Sequence, residues 1–397
     1  DWARRWSTLS HGERKRAQIG TALWRAPEVL LVDEATNHID ADARTLLIEA
    51  LRRFRGVGII VSHDREVLDL LCRQCLFLQP PDAVLRPGSY SEGAAEDRRE
   101  AESALAQRQQ LQTQLARLYQ ESRARHTKAA QADKKRSKRG LAKGDSDGRA
   151  KLDLARVSGK DGQAGRLSSQ LDGRIAQLEE NVAAVEVRTQ RPMQFWLEES
   201  RSPRRVLFTI PAGEIKLDAA RSLRYPSLTM QRDDRIAITG ANGLGKSTFI
   251  RHILRELQID AQQLIYLPQE IPLDQTRRIM SDVHDLPRDM RGHVYTIVST
   301  LGSEPKRLLQ NEDASPGELR KVLLALGVIR RPHLIVMDEP TNHLDLPAVE
   351  CLERALADCP CGLLLVSHDT RFLSSIASTR WQLTQSGSTV HIVEELM

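Results

Sequence analysis

Long apolar runs are missing from this sequence. Stretches such as Val29-Leu30-Leu31-Val32 and Leu363-Leu364-Leu365-Val366 stop far short of the ~18 apolar residues a spanning helix needs, which argues against a helical membrane span. No secretory signal peptide is expected from the first residues. Cysteine is sparse and odd in number, five in 397 residues, which argues against a disulfide framework and for a reducing, cytosolic compartment. Cys72 and Cys75 form a lone CxxC and Cys359 and Cys361 a CxC; with no His/Cys cluster beside them they read as buried or idle thiols, not metal ligands. Aromatics make up only 4%, and none stands between Tyr119 and Phe195. A segment so poor in large rings has little with which to stack on bases or fill a globular core.

What is present is the composition of a globular chain, 40% hydrophobic and 28% charged with a net charge of +5, long enough for two domains of ~150 residues and a connector. The charge is uneven. Residues 121 to 166 hold 14 Lys+Arg against 6 Asp+Glu, a local excess of +8 that leaves −3 for the rest. A basic surplus confined to one segment is the footprint of a polyanion-binding element, although such stretches also occur simply as solvated faces.

The chain repeats itself. Leu9-Ser10-His11-Gly12-Glu13 is matched by Ala314-Ser315-Pro316-Gly317-Glu318, Asp33-Glu34-Ala35-Thr36-Asn37-His38-Ile39-Asp40 by Asp338-Glu339-Pro340-Thr341-Asn342-His343-Leu344-Asp345, and Val61-Ser62-His63-Asp64 by Val366-Ser367-His368-Asp369, all at one offset of 305. Two copies of one module therefore flank a different middle. The second copy has an upstream part whose counterpart would precede Asp1, so the first is expected to be the C-terminal part of a module. The expected organisation is residues 1–93, a connector over 94–194, and a whole module over 195–397. In the connector Leu111, Leu115 and Leu118, then Leu171, Ile175, Leu178, Val182 and Val185, recur at helical spacing in narrow stripes. They predict two antiparallel helices, roughly 95 to 132 and 168 to 187, with a glycine-rich basic tip between Lys134 and Arg166; a disordered linker is the alternative for the tip.

Gly240 to Ser247 fits GxxxxGK[ST] between the apolar Ile236-Ala237-Ile238 and Phe249-Ile250, the strand–loop–helix setting in which backbone N–H groups wrap phosphates. Gly240, Asn242, Gly243 and Gly245 shape that loop, Lys246 reaches the outer phosphates, and Ser247 with Thr248 opens the helix, Ser247 offering a hydroxyl to Mg²⁺. Leu334 to Met337 is a buried strand ending in Asp338 and Glu339. There Asp338 can hold the Mg²⁺ shell and Glu339 face an attacking water. His368 closes the apolar run Leu363 to Val366 as a donor toward a γ-phosphate, and Gln269, after Leu264 to Pro268, is a candidate to sense Mg²⁺ or water.

These residues resemble the ATP-binding cassette superfamily, with a Walker A at 240 to 248, a Walker B at Asp338-Glu339, a signature at 314 to 318 and a switch histidine at His368. Tandem cassettes joined by a charged helical connector and carrying Asp-Glu-x-Thr-Asn-His-x-Asp resemble the ABC-F family of translation-associated ATPases. The resemblance implies an α/β fold with two P-loop nucleotide-binding domains, the first partial, joined by a helical hairpin. It implies ATP with Mg²⁺ held head to tail, between Lys246, Ser247, Gln269, Asp338, Glu339 and His368 on one side and Ser10, Gly12 and Glu13 on the other. A partial second site would set Asp33, Glu34 and His63 against Ser315 and Gly317. It further implies hydrolysis of ATP and a cytoplasmic protein whose connector, through 121–166, contacts rRNA and tRNA on the ribosome. The signatures depart from the family's Leu-Ser-Gly-Gly-Glu, and Pro316 removes a backbone N–H. Competing readings are a transporter ATPase subunit, which needs a membrane partner, and an inactive truncated nucleotide-binding module. A DNA-repair ATPase of the type that splits one cassette with a coiled coil is contradicted by the order of the motifs.

Overall fold

The computed structural model describes residues 5–9, 11–36, 39, 41–79, 82–135, 160–185, 196, 200–303, 315–342 and 344–397. Ser10 and most of the basic tip lie outside the described residues. The chain divides into two compact units, residues 1–91 with 191–397, and residues 92–190.

Within the first unit the N-terminal part runs α1 (His11–Trp24), β1 (Val29–Asp33), α2 (Ala41–Arg52), β2 (Val57–Val61), α3 (Arg65–Leu71), β3 (Gln74–Gln79) and β4 (Asp82–Pro87). The second unit holds most of α4 (Tyr90–Lys135) and all of α5 (Lys160–Ala184). Both helices extend the spans expected from the leucine stripes at their tip ends, and α5 stops short of Val185. Tyr119 of α4 donates its hydroxyl to Glu179 of α5, and Leu171 and Ile175 are buried, so the apolar stripe of α5 is a packed face.

The rest of the first unit comprises β5 (Val206–Ile210), β6 (Gly213–Lys216), β7 (Ser222–Tyr225), β8 (Leu228–Gln231), β9 (Arg235–Thr239), α6 (Lys246–Glu256), β10 (Leu264–Leu267), α7 (Leu273–His284), α8 (Arg288–Thr300), α9 (Pro316–Ile329), β11 (Leu334–Asp338), α10 (Leu346–Ala357), β12 (Gly362–Val366), α11 (Thr370–Ile376), β13 (Thr379–Ser386) and β14 (Thr389–Leu396). Eight strands form one mixed sheet in the order β10-β11-β12-β9-β13-β14-β7-β6. At the centre of its parallel half, β10-β11-β12-β9-β13, β11 and β12 are apolar without alternation, because both faces are covered: they are buried at every position. A parallel sheet needs this, and it sets the carboxyl ends of β9, β11 and β12 along one edge, where α/β sheets hold ligands.

The internal repeat is structural as well as textual. The bounds of α1, α2, α3, β1 and β2 map onto those of α9, α10, α11, β11 and β12 at the offset of 305. The non-glycine residues with positive φ also form two such pairs: Ala26 with Arg331, and Glu34 (φ 47°) with Glu339 (φ 52°). The copies differ in what covers them. Leu334, Val336, Leu364 and Val366 lie in one core with Phe249, Ile250 and Ile253 of α6, all fully buried. Their counterparts Val29, Leu31, Ile59 and Val61 are each more than half exposed. In the second copy β9 lies between β12 and β13, whereas β1-β2 and β3-β4 are separate two-stranded sheets among the described residues.

Candidate functional site

The loop joining β9 to α6 turns on glycines that no other residue could replace without strain. Gly240, Gly243 and Gly245 have φ of 145°, 79° and 93°. A Cβ on Gly240 would lie 2.8 Å from the Leu383 carbonyl oxygen, and one on Gly245 2.5 Å from a Leu217 methyl. The loop therefore runs as bare backbone into the N-terminus of α6, whose unsatisfied N–H groups and dipole favour an anion. Lys246 folds back over this loop, its ammonium donating to Gly240 O at 2.7 Å and Ala241 O at 3.2 Å and lying 3.3 Å from His368 Nε2.

Asp338 and Glu339 end β11 side by side, 2% and 6% exposed. Burial raises the Asp338 carboxyl above its usual range, opposed by the hydrogen bond from Ser247 and the charge of Lys246. Glu339 is pushed up to about 8, by burial first, against the pull of Lys246. Its Oε1 accepts no hydrogen bond among the described residues and stands 3.5 Å from His368 Nε2, while Oε2 accepts from the His368 backbone N–H at 3.3 Å. The same ring nitrogen of His368 lies 2.9 Å from Asn242 Oδ1. Asp369 caps α11 through Phe372 N and so fixes the turn that carries the imidazole.

These groups meet around one cavity of about 410 Å³, lined by Asn242, Gly243, Gly245, Lys246, Ser247, Thr248, Gln269, Asp338, Glu339 and His368. Ten residues from four separate stretches of sequence thus converge on it. Gly240 stands just behind, as the acceptor for Lys246. Gly12 and Glu13 do not line the cavity, and Ser10 is outside the described residues. The first copy contributes Thr36 and Ile39 instead, from the string shared with the second copy. Sequence reasoning also missed Leu217 and Arg221, beside the β6–β7 turn, which line the cavity too. Arg221 is held by Asp218 at 2.7 Å and donates to Gly243 O at 3.2 Å. Repetition could have marked Thr36 and Ile39; no local signal marks Leu217 or Arg221.

The other set of residues is arranged differently. His63 Nε2 lies 3.1 Å from Glu34 Oε1, copying the pairing of His368 with Glu339, and Asp33 ends β1 as Asp338 ends β11. Ser315 is the N-cap of α9. Its hydroxyl accepts from Glu318 N at 3.2 Å while the Glu318 carboxylate accepts from Ser315 N at 2.9 Å, a reciprocal capping box. Pro316 is the first helical residue, where its missing N–H has no intrahelical partner to lose, and Gly317 is buried behind it.

A protein-family model described as "ABC transporter" matches residues 1–37 and 223–342. Among curated proteins the chain is similar to the ribosome protection protein VmlR of Bacillus subtilis, 26% identical over 96% of this chain and 69% of that protein. It is also similar to the ATP-binding protein Uup of Haemophilus influenzae, 27% identical over 94% of this chain and 54% of that one, and to Uup of Caulobacter vibrioides, 29% identical over 96% and 60%. The chain thus spans between about half and about two thirds of the length of these relatives. A solved structure titled "Model of ribosome-bound archaeal Pelota and ABCE1" superposes with a TM-score of 0.60 at 18% identity, covering 99% of this chain and 57% of that one; the likeness is one of fold. No described helix is long and apolar enough to cross a membrane.

Proposed function

We propose that this chain is an ATP-binding cassette protein of the ABC-F type, similar to the relatives above, that binds ATP with Mg²⁺ in the Lys246–Glu339 cavity, hydrolyses it, and acts on the ribosome. The observation that carries the reading is the convergence of the glycine-rich loop, Asp338-Glu339, His368 and Gln269 on one cavity. The oxygen donors there suit Mg²⁺: the Ser247 hydroxyl, the buried Asp338 carboxylate bonded to it, and the Gln269 amide are the hard ligands this cation takes. The cation supplies charge neutralisation to the β- and γ-phosphates.

The residues of the chain then divide the work. Backbone N–H groups of residues 243 to 248 and the Lys246 ammonium bind the phosphates. Burial holds a proton on Glu339 up to about 8, so the base is the ionised form: its Oε1, without a hydrogen-bond partner among the described residues, accepts from an incoming water, and as water oxygen bonds to the γ-phosphorus the water proton passes to the carboxylate and ADP leaves with the electron pair of the broken P–O bond. Phosphate binding would draw Lys246 from the loop carbonyls it now holds, and His368 is placed to donate to the γ-phosphate. Thr36 and Ile39 close the cavity from the first copy, so the head-to-tail arrangement of cassettes reaches this site through those two residues. Ser10, Gly12 and Glu13 would join on closure, and Asp33, Glu34 and His63 would face Ser315 and Gly317 in a second site. The relative named as a ribosome protection protein and the +8 excess of residues 121–166 support the ribosome, with rRNA and tRNA phosphates as the contact of the connector and the cytoplasm as its place. Because the tip carries no aromatic, that contact is electrostatic and salt-sensitive.

The test is Glu339→Gln. ATP binding should persist while turnover falls by a factor of about 10² or more, the range of a lost general base. The same variant should co-sediment with ribosomes in ATP and not in ADP, and less at raised salt. Turnover unaffected by the substitution would remove Glu339 from its role; absent co-sedimentation by a protein shown to bind ATP would remove the ribosome.

A further inference from the structure

Arg320 is a guanidinium buried at 6% exposure with no carboxylate among its hydrogen-bond acceptors in the described residues. It stands at the start of the second turn of α9 and spends its donors on backbone carbonyls of two other segments. Nη1 donates to Glu339 O and Asn342 O, both at 2.8 Å. Nη2 donates to Pro268 O at 3.4 Å and to Gln269 O. One planar fork thus joins three stretches that face the cavity or lead to it: the start of α9, the turn after Asp338-Glu339, and the loop carrying Gln269.

The first copy shows what part of this is general to the module. At the repeat position stands Lys15, whose ammonium donates to Glu34 O. Glu34 and Glu339 are both in the left-handed region, a conformation that costs a non-glycine residue free energy and persists only where surroundings hold it. Both are held from one side by the next strand, Glu34 N donating to Val61 O and Glu339 N to Val366 O, each at 2.8 Å. Both are held from the other side by the cation of the signature helix, on the carbonyl. A lysine, a single point charge, suits the one carbonyl at Glu34. In the second copy four carbonyls must be gathered, and there the residue is arginine.

We propose that Arg320 is a positioning residue for ATP hydrolysis: it holds the Glu339 peptide in its strained conformation and ties the Gln269 loop to it, so that carboxylate and amide face the cavity together. The reaction it serves is that of the proposed function, and the inference rests on that reading. Because the tether starts on α9, movement of the signature at Ser315 is carried to Glu339 and Gln269 of this site.

The experiment compares wild type with Arg320→Met and Arg320→Lys by two measurements. The first is steady-state hydrolysis alongside ATP affinity from titration of a fluorescent ATP analogue. Arg320→Met should lower kcat about tenfold or more while the dissociation constant moves by less than about threefold, the split expected when orientation and not binding is lost. Arg320→Lys should recover part of kcat, since one ammonium can still serve Glu339 O as Lys15 serves Glu34. The second measurement, hydrogen exchange, needs no activity. Arg320→Met should speed exchange in residues 264–270 and 338–342 and leave 322–329 unchanged. Unchanged kcat and exchange would overturn the proposal, as would faster exchange across all of α9 with loss of affinity, the mark of a merely structural side chain. If wild type hydrolyses no ATP but the local exchange difference is found, the tether stands and the ATPase reading fails; if wild type hydrolyses ATP and neither variant differs, the reverse holds.

Discussion

A carboxyl held at about 8 at the end of β11 has a consequence for stability. In the unfolded chain the Glu339 group returns to its ordinary value near 4.5. Between those two values the folded protein keeps a proton that the unfolded chain releases, so folding weakens as pH rises through that window and levels off above it. Glu339→Gln removes the titration while keeping the shape. In nucleotide-free protein the variant's gain in melting temperature should therefore be small at pH 5 and largest near pH 8; a gain independent of pH would show that Glu339 is not the group responsible. Base recognition belongs to the same scale. With Leu217 packed on Gly245 and Arg221 pinned by Asp218 and Gly243 O, the surface offered to a base is an aliphatic side chain and a guanidinium plane instead of a ring. Arg221→Ala should weaken ATP binding about three- to tenfold, the worth of a partly exposed cation–π contact. GTP should lose as much, because a guanidinium face reads the π surface and not the base edge. Unaltered affinity in titration calorimetry would place the base elsewhere.

At the scale of elements, what the sequence made legible is what local physics decides. The glycine-rich loop and helix α6 follow from positive φ and a helix start, and β11 and β12 from unbroken apolar runs that only a doubly covered parallel sheet accepts. The 305-residue offset gave α1, α2 and α3 their counterparts before any contact was known. The leucine stripes placed both connector helices, but not their ends: α4 runs on to Lys135 and α5 begins at Lys160, through polar sequence where helix propensity, not an apolar stripe, sets the limit. Pro316 looked like a defect in the signature; as the first residue of a capped helix it is compatible with a complete capping box. Leu217 and Arg221 stayed hidden because a turn between the edge strand β6 and its neighbour β7 reaches the cavity only through the curl of the sheet, which no spacing in the chain encodes. Thr36 and Ile39 were visible as repeated residues, yet the direction they face depends on how the first copy packs on the second.

That packing is the property of the whole first unit, and one side chain is central to it. Arg65 of α3, 4% exposed, donates from both Nη atoms to the Glu353 carboxylate of α10 and lies 3.7 Å from Asp369, the residue that caps the turn of His368. Around it Tyr90 donates to Glu350 at 3.3 Å, Arg371 to Ser91 at 2.9 Å, and Thr370 to Glu66 at 3.4 Å. The repeat does not dictate this: the counterpart of Arg65 is Thr370, so the contact between copies is asymmetric and no internal comparison could have announced it. A bidentate guanidinium–carboxylate pair removed from water contributes little net stability as a pair, but breaking it strands a charge. Arg65→Met should therefore cost roughly 3–5 kcal/mol in denaturant unfolding, the range for a buried pair deprived of one partner. The double variant Arg65→Met, Glu353→Leu should recover much of that loss, because two apolar side chains of similar bulk fill the space and Asp369 alone loses a cation, while keeping its bond from Phe372 N. If the double variant is as unstable as the sum of the single ones, the two residues are not coupled and the copies are held together elsewhere. The same contact reaches the active turn, since Asp369 stands between Arg65 and His368. ATP turnover should fall in Arg65→Met by more than its stability at the assay temperature explains, and a loss of turnover that only follows the unfolded fraction would confine Arg65 to holding the two copies together.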